Sequence, residues 1–89
     1  MHKILVGCPL HAAASERLHE HAQVLSGTGS GGDFLRLLPE ADGVIVGGQQ
    51  LGPAEIELGE RLRVIGRHGV GIDNVDLEAA SRRSIAVVY

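Results

Sequence analysis

Five short apolar runs recur along the chain, and their starts lie about twenty residues apart. In chain order they occupy positions 4–6, 24–25, 44–46, 64–65 and 86–88. The runs are rich in β-branched residues and mostly continuous rather than alternating, which is typical of strands buried on both faces of a parallel sheet. Their spacing leaves room for one helix and two loops between successive strands.

The segments between the runs predict four helices. Residues 12–22 contain good helix formers, and Asp33 can cap a short second helix that Pro39 closes. Pro53 opens the third, because proline is tolerated at the first helical position. Asp76 can cap the last helix, which has acids at its start and bases at its end, as the helix dipole favours.

This alternation predicts an α/β fold: a flavodoxin-like parallel five-stranded sheet of order 2-1-3-4-5 with four connecting helices. In that topology the first helix packs on one face of the sheet and the next three on the other. A fifth helix normally covers the first face, whereas this chain ends at Tyr89, in or just after its fifth strand. We therefore expect a sheet lacking the final covering helix. Its bare aliphatic patch implies a partner, an oligomer or an incomplete chain.

Composition disfavours several classes of partner. A chain of 89 residues fits one small domain. Its net charge is −3, no run of Lys or Arg stands out, and Phe34 and Tyr89 are its only aromatic residues, so no nucleic acid is expected as partner. The sequence has no long apolar run and one cysteine, Cys8, so we expect no membrane insertion and a soluble, cytoplasmic protein.

Three candidate sites are weaker than their structural alternatives. Residues 27–32 match G-x-G-x-x-G, but the next strand ends without an acid for a ribose, so a flexible linker is favoured over a phosphate loop. Cys8 has no neighbouring base and is expected to fill space rather than act as a nucleophile. The histidines lack metal-ligand spacing and are expected on the surface; they are His2, His11, His19, His21 and His68.

The most informative segment is 62–74, where the fourth strand enters a turn with glycines at 66, 69 and 71. The turn lies at the carboxyl end of a parallel strand, where open α/β sheets bind ligands. Gly69 and Gly71 lack Cβ atoms, so backbone N–H groups there can point at an anion such as a small carboxylate. A tight turn that needs glycine only for its geometry explains the spacing equally well.

Residues 62–80 closely resemble the D-isomer-specific 2-hydroxyacid dehydrogenases, most of all the branch containing phosphoglycerate dehydrogenase. The similarity is specific from about Asp42 to Tyr89. It implies that residues 1–89 are a partial substrate-binding domain and that the nucleotide-binding domain is absent. The resemblance assigns the substrate carboxylate to Gly69, Val70 and Gly71, with backbone N–H groups at the last two positions holding it.

The resemblance also implies hydride transfer between NAD or NADP and a small D-2-hydroxy acid, as 2-keto acid reduction or 3-phosphoglycerate-type oxidation. The family's catalytic arginine, glutamate and histidine and its cofactor site lie downstream, so we expect no catalytic or cofactor-binding residue here and no activity of the chain alone. The expected partners are the small acid, the missing nucleotide-binding domain and further copies of the chain. A stand-alone flavodoxin-like binding or regulatory module and a non-functional truncated remnant are the alternatives.

One departure from the family concerns the substrate. The phosphoglycerate branch often has an Arg-Ser pair just after the third strand, where this chain has Gly47 and Gly48. Without a guanidinium there, a small unphosphorylated acid becomes at least as good a candidate as a phosphorylated one. Arg67 and His68 are charged neighbours of the turn, and we expect both to be solvated or to face another domain.

Overall fold

The five apolar runs form the five strands of a single parallel sheet of order β2-β1-β3-β4-β5. The structure is a computed structural model that describes residues 1–27, 33–69 and 74–88. Its elements are β1 (Lys3–Val6), α1 (Ala12–His21), β2 (Gln23–Ser26), α2 (Asp33–Leu37), β3 (Gly43–Val46), α3 (Pro53–Leu58), β4 (Val64–Arg67), α4 (Leu77–Arg82) and β5 (Ala86–Val88). The predicted fold class, strand order and four helices are confirmed.

The helix starts follow the capping residues, with one correction. Pro53 is the first residue of α3, and the Asp76 side chain caps α4 by accepting a hydrogen bond from the Ala79 N–H at 2.9 Å. Asp33 is the first residue of α2 rather than its cap, and a 3-10 turn, Leu38–Glu40, follows that helix. Among the described helices, none is both long and apolar enough to cross a membrane.

One face of the sheet is fully covered. Leu5, Val44, Val46 and Ile65 point from the central strands into a core where each is at most 1% exposed. The residues of the following helices and loops that join this core include Phe34, Leu38, Ile56, Leu62, Ala79 and Ala80. Burial of each of the larger apolar side chains contributes roughly 1.5–3 kcal/mol to the free energy of folding. This burial is the main source of stability.

Among the described elements, α1 packs on the other face, and none of its residues is buried. Beside this helix lies an open groove of about 630 Å³, whose lining includes Leu18, Ile45, Gly66 and Val88. Val88 is 60% exposed, because no described helix packs over β4 and β5 on this side. The described part of the chain therefore shows the bare aliphatic patch that the topology predicts.

Candidate anion-binding site at the carboxyl edge of the sheet

Three loops meet where β1, β3 and β4 end. The Gly7 N–H donates to the Ile45 carbonyl at 2.8 Å, and the His68 N–H donates to the Val46 carbonyl at 2.8 Å. These bonds extend the parallel ladder by one residue and place the three loops side by side at the carboxyl edge. This is the edge at which open α/β sheets bind their ligands.

Gln49 joins the first two of these loops. Its side-chain Oε1 accepts a hydrogen bond from the Gly47 N–H at 2.9 Å, and its Nε2 donates to the Gly7 carbonyl. One amide therefore fastens the turn after β3 to the loop after β1. The sequence analysis considered the end of this strand only for its lack of an acid, and no local spacing signals the long-range bridge that Gln49 makes.

Asn74 joins the turn after β3 to the loop after β4. It is 9% exposed, and its Nδ2 donates to the Gly47 carbonyl at 3.0 Å and to the Gln49 carbonyl at 2.8 Å. Its Oδ1 accepts from Arg67 Nε at 2.9 Å. Both donors and the acceptor of a buried amide are thus used, as buried polar groups require. Asn74 is the last residue of the segment 62–74, and no local pattern in the sequence indicates this role.

Gly69 favours glycine through its backbone conformation and lies close to the Arg67 side chain. Its φ is +133°, a conformation that side chains with a Cβ rarely adopt. A Cβ at this position would also overlap Arg67 Nη1 and lie 3.1 Å from Arg67 Cζ. The guanidinium therefore lies directly against the start of the turn, where its Nη1 also donates to the His68 carbonyl.

Of the three predicted anchor residues, the structure describes Gly69. Gly69 lies at the carboxyl edge as expected, whereas Val70 and Gly71 lie outside the described residues, so their roles stay predictions. Gly66 lies inside β4 rather than in the turn. Arg67 is half-buried and hydrogen-bonded to Asn74, while His68 is exposed; that either is solvated or faces another domain stays a prediction.

The described residues do not fit a dinucleotide. Gly27 follows β2, but the remainder of the glycine run 27–32 lies outside the described residues. The helix after it, α2, has five residues, and the next strand, β3, leads into Gly47, Gly48 and Gln49. No carboxylate stands at this strand end to accept hydrogen bonds from a ribose.

Cys8 fills space beside the turn after β3. It is buried, and burial raises the pKa of its thiol, an effect that the positive charge of Arg67 partly opposes. A Cβ added to Gly47 would lie 2.9 Å from the Cβ of Cys8, so the cysteine occupies the space that a side chain at position 47 would need. The prediction that Cys8 is a packing residue is confirmed.

All five histidines are exposed, as predicted. The His11 ring accepts a hydrogen bond from the Ala13 N–H at the start of α1, the His19 ring lies 2.8 Å from the Ser15 carbonyl, and His2 lies 3.7 Å from Asp42. Over the described ranges, no three His, Cys, Asp or Glu residues are grouped closely enough to bind a metal ion.

The family of the chain follows from comparison with known proteins. Residues 4–89 match the model of the D-isomer specific 2-hydroxyacid dehydrogenase, catalytic domain. The chain therefore belongs to this family of oxidoreductases. It is 43% identical to D-3-phosphoglycerate dehydrogenase of Methanocaldococcus jannaschii, over 99% of this chain and 17% of that relative. It is 30% identical to hydroxypyruvate reductase of Thermotoga maritima, over 98% of this chain and 29% of that relative.

Solved structures give the same result. A crystal structure of a Pyrococcus horikoshii protein superimposes with a TM-score of 0.89 at 34% identity, covering 98% of this chain and 27% of that chain. The NAD⁺-bound 3-phosphoglycerate dehydrogenase of Entamoeba histolytica superimposes with a TM-score of 0.76 at 29% identity, covering 97% and 32%. The chain thus spans less than a third of the length of each of these four proteins.

Proposed function

We propose that residues 1–89 form part of the substrate-binding domain of an NAD(P)-dependent D-2-hydroxyacid dehydrogenase and supply its carboxylate anchor. The observation that carries this proposal is the turn after β4, where Gly69 adopts a φ of +133° under the Arg67 guanidinium. A glycine turn at the carboxyl end of a parallel strand can aim backbone N–H groups at an anion. The family match supports a hydroxy or keto acid as that anion.

In the proposed reaction, this chain binds and orients the substrate. The backbone N–H groups of Gly69, Val70 and Gly71 bind the substrate carboxylate, and Arg67 places a permanent positive charge beside them. Hydride exchange with C2 of the acid is the chemistry of NAD or NADP, and the family resemblance places the cofactor site and the catalytic residues on a further domain. On that assignment, we propose that the chain alone has no dehydrogenase activity.

The substrate class follows from the turn after β3. The phosphoglycerate branch often has an arginine at the position of Gly47, and here Cys8 packs into that space. No guanidinium is available there for a phosphate, which favours a small unphosphorylated 2-hydroxy or 2-keto acid. The 43% identity to a D-3-phosphoglycerate dehydrogenase makes phosphoglycerate-type oxidation the second candidate.

The proposed partners follow from the same assignment. A nucleotide-binding domain must face the carboxyl edge to bring its cofactor to the bound acid. The open groove beside α1 offers apolar surface for contact with further protein, including another copy of the chain. We propose the cytoplasm as the location, where a single unbridged cysteine is ordinary.

Calorimetric titration with oxamate, a stable 2-keto acid analogue, tests the anchor. The uncharged amide of the same acid, oxamide, is the matched control, because it differs in the carboxylate alone. We expect weak saturable binding of oxamate and none of oxamide. Equal binding of both, or no binding to a cooperatively folded chain, contradicts the proposal and favours a different binding module.

Two further measurements separate the remaining alternatives. NADH-dependent reduction of hydroxypyruvate or glyoxylate by the purified chain is expected to be undetectable, and measurable turnover would contradict the proposed inactivity. A cooperative urea transition is expected of a functional domain. Its absence would favour the truncated remnant.

A further inference from the structure

α1 is the longest of the four described helices, and it packs least tightly on the sheet. It has 10 residues, of which none is buried. Each of the other three helices buries at least one side chain: Phe34 in α2, Ile56 in α3, and Ala79 and Ala80 in α4. Leu18 is the one large aliphatic residue of α1 and is only half-buried. Because most helical stability in proteins comes from the packing of an apolar face, α1 has the weakest attachment of the four.

A cavity of about 320 Å³ lies between α1 and the first two strands. Its lining includes Leu18 and His19 of the helix, Val6 and Val24 of the strands, and Cys8. Leu18 also lines the open groove of about 630 Å³ beside α1. Side chains that border a cavity lose dispersion contacts on that side, so the packing around the main anchor of α1 is incomplete.

The side-chain hydrogen bonds described for α1 lie within the helix and its cap. His11 accepts from the Ala13 N–H at 3.2 Å, and His19 Nδ1 lies 2.8 Å from the Ser15 carbonyl oxygen. The first turn has no acidic residue to complement the helix dipole. A helix of this length is only marginally stable by itself in water, so α1 unwinds when it leaves the sheet.

We propose that α1 is a detachable element: it leaves the sheet and unwinds as a unit while the strands and the other three helices stay folded, and its departure uncovers the Cys8 thiol. The hydrophobic core on the opposite face includes Leu5, Val44 and Ile65, and none of the described residues of α1 contributes to it. This core therefore persists without the helix. Since Cys8 lines the cavity beneath α1, the opening controls the access of solvent to its thiol.

Alkylation of Cys8 by iodoacetamide measures the opening. Cys8 is the only cysteine of the chain, and in the reaction its thiolate displaces iodide while the thiol proton passes to water. At reagent concentrations where the rate stays proportional to concentration, the rate for the folded chain divided by that for an unprotected peptide of residues 5–11 gives the fraction of molecules that expose Cys8. Urea unfolding gives the globally unfolded fraction. We expect the first fraction to exceed the second by about tenfold or more, and equal fractions overturn the proposal.

Two substitutions separate the opening of α1 from global unfolding. Leu18→Ala removes the main anchor of α1, so we expect the alkylation rate to rise about tenfold. Ile56→Val is the matched control: Ile56 is 1% exposed in the core on the opposite face, and the change raises the global unfolding constant about fivefold. Because this core stays folded when α1 opens, the alkylation rate of Ile56→Val is expected to be unchanged. A rise in proportion to the unfolding constant, or an unchanged rate in Leu18→Ala, overturns the proposal.

A better helix cap tests the opening without weakening the fold. His11→Ser replaces a histidine cap by a residue that is preferred at this position, and we expect alkylation of Cys8 to become about threefold slower. Hydrogen exchange of the Ser15 and Ala22 N–H groups, which donate within α1 and its caps, should slow by the same factor. In the original chain, these amides should exchange with the same exposed fraction as Cys8, and the amides of β3 much more slowly. If Leu18→Ala does not fold, these measurements decide: equal protection of α1 and β3, or no slowing in His11→Ser, overturns the proposal.

Discussion

Side chains bridge separate segments at both edges of the sheet, with a carboxylate at the amino edge and neutral amides at the carboxyl edge. At the amino edge, the Asp42 carboxylate accepts from the Lys3 N–H at 2.8 Å and lies 3.6 Å from Arg61 Nε and 3.7 Å from His2. At the carboxyl edge, the bridging groups are the neutral amides of Gln49 and Asn74, and that of Asn74 is bonded to two carbonyls and to Arg67.

This difference in charge agrees with the function that we propose for the carboxyl edge. A carboxylate surrounded by an N–H group and two basic side chains is an effective brace, and the Lys3 N–H above all lowers the pKa of Asp42. The same carboxylate at the carboxyl edge would repel an anion from the turn after β4. An amide braces that edge without adding negative charge, which is compatible with the anion binding that we propose for this edge.

The largest effect on stability is expected from Asn74→Ala. The change leaves the Gly47 and Gln49 carbonyls and Arg67 Nε without their partner, which costs about 2 kcal/mol in the free energy of unfolding. Because an amide does not titrate, we expect the loss to be the same at pH 5 and pH 8 in urea unfolding. A loss of stability that varies strongly with pH would contradict the difference between the amide at the carboxyl edge and the carboxylate at the amino edge.

Gly69→Ala is expected to cost about 1–2 kcal/mol, because alanine is strained at a φ of +133°. The new methyl group also displaces the Arg67 guanidinium, so oxamate affinity should fall. Gly48→Ala is the matched control, since a Cβ at Gly48 meets nothing within 4 Å. Urea unfolding and oxamate titration of both variants check the prediction, and equal effects of the two would contradict it.

Asp42→Asn is expected to cost about 1 kcal/mol at pH 7, through a weaker hydrogen bond from the Lys3 N–H. The folded state lowers the pKa of Asp42 below its unfolded value of about 3.9, so its carboxylate stabilises the chain above that pH. This contribution is lost as the pH falls through the lowered pKa. Comparing unfolding free energies of the two chains from pH 7 to pH 2 should show the difference shrinking; a constant difference would contradict this account of Asp42.

Cys8 should give the smallest effect. Burial raises the pKa of its thiol, which lowers the thiolate fraction at neutral pH, and burial also limits access. Iodoacetamide should alkylate the folded chain at pH 7.5 much more slowly than the chain in urea, as measured by mass spectrometry. Similar rates in both conditions would show that this part of the carboxyl edge is open.

The fold could be predicted because the signals for it are local. Continuous apolar runs with regular spacing specify parallel strands, and Pro53 and Asp76 mark helix starts through bonds within one turn of the chain. The strand order 2-1-3-4-5 is one of the common orders of doubly wound α/β sheets, all of which have right-handed crossovers, and it was chosen for its flavodoxin-like pattern. Asp33 was misplaced by one position, because a residue that can cap a helix can also begin it.

The site could be predicted only in part, for the opposite reason. Gly69 was identified from glycine spacing, which reflects a local backbone requirement. The bridges made by Gln49, Asn74 and Asp42 join segments far apart in sequence, and no pattern in one chain marks which amide or carboxylate will cross between loops. Arg67 was expected to be solvated or to face another domain, and no pattern in the sequence marks its bond to Asn74.

The most direct test of the central claim is residue-by-residue NMR mapping of the oxamate site on the ¹⁵N-labelled chain. We predict the largest amide shifts at Gly69, Val70 and Gly71, with a concurrent shift of the Arg67 Nε–H signal. Lys3 and Asp42 at the amino edge should not respond. Shifts centred on the groove beside α1, shifts spread over both edges, or no saturable shift at the turn would contradict the claim that the carboxyl edge binds the anion.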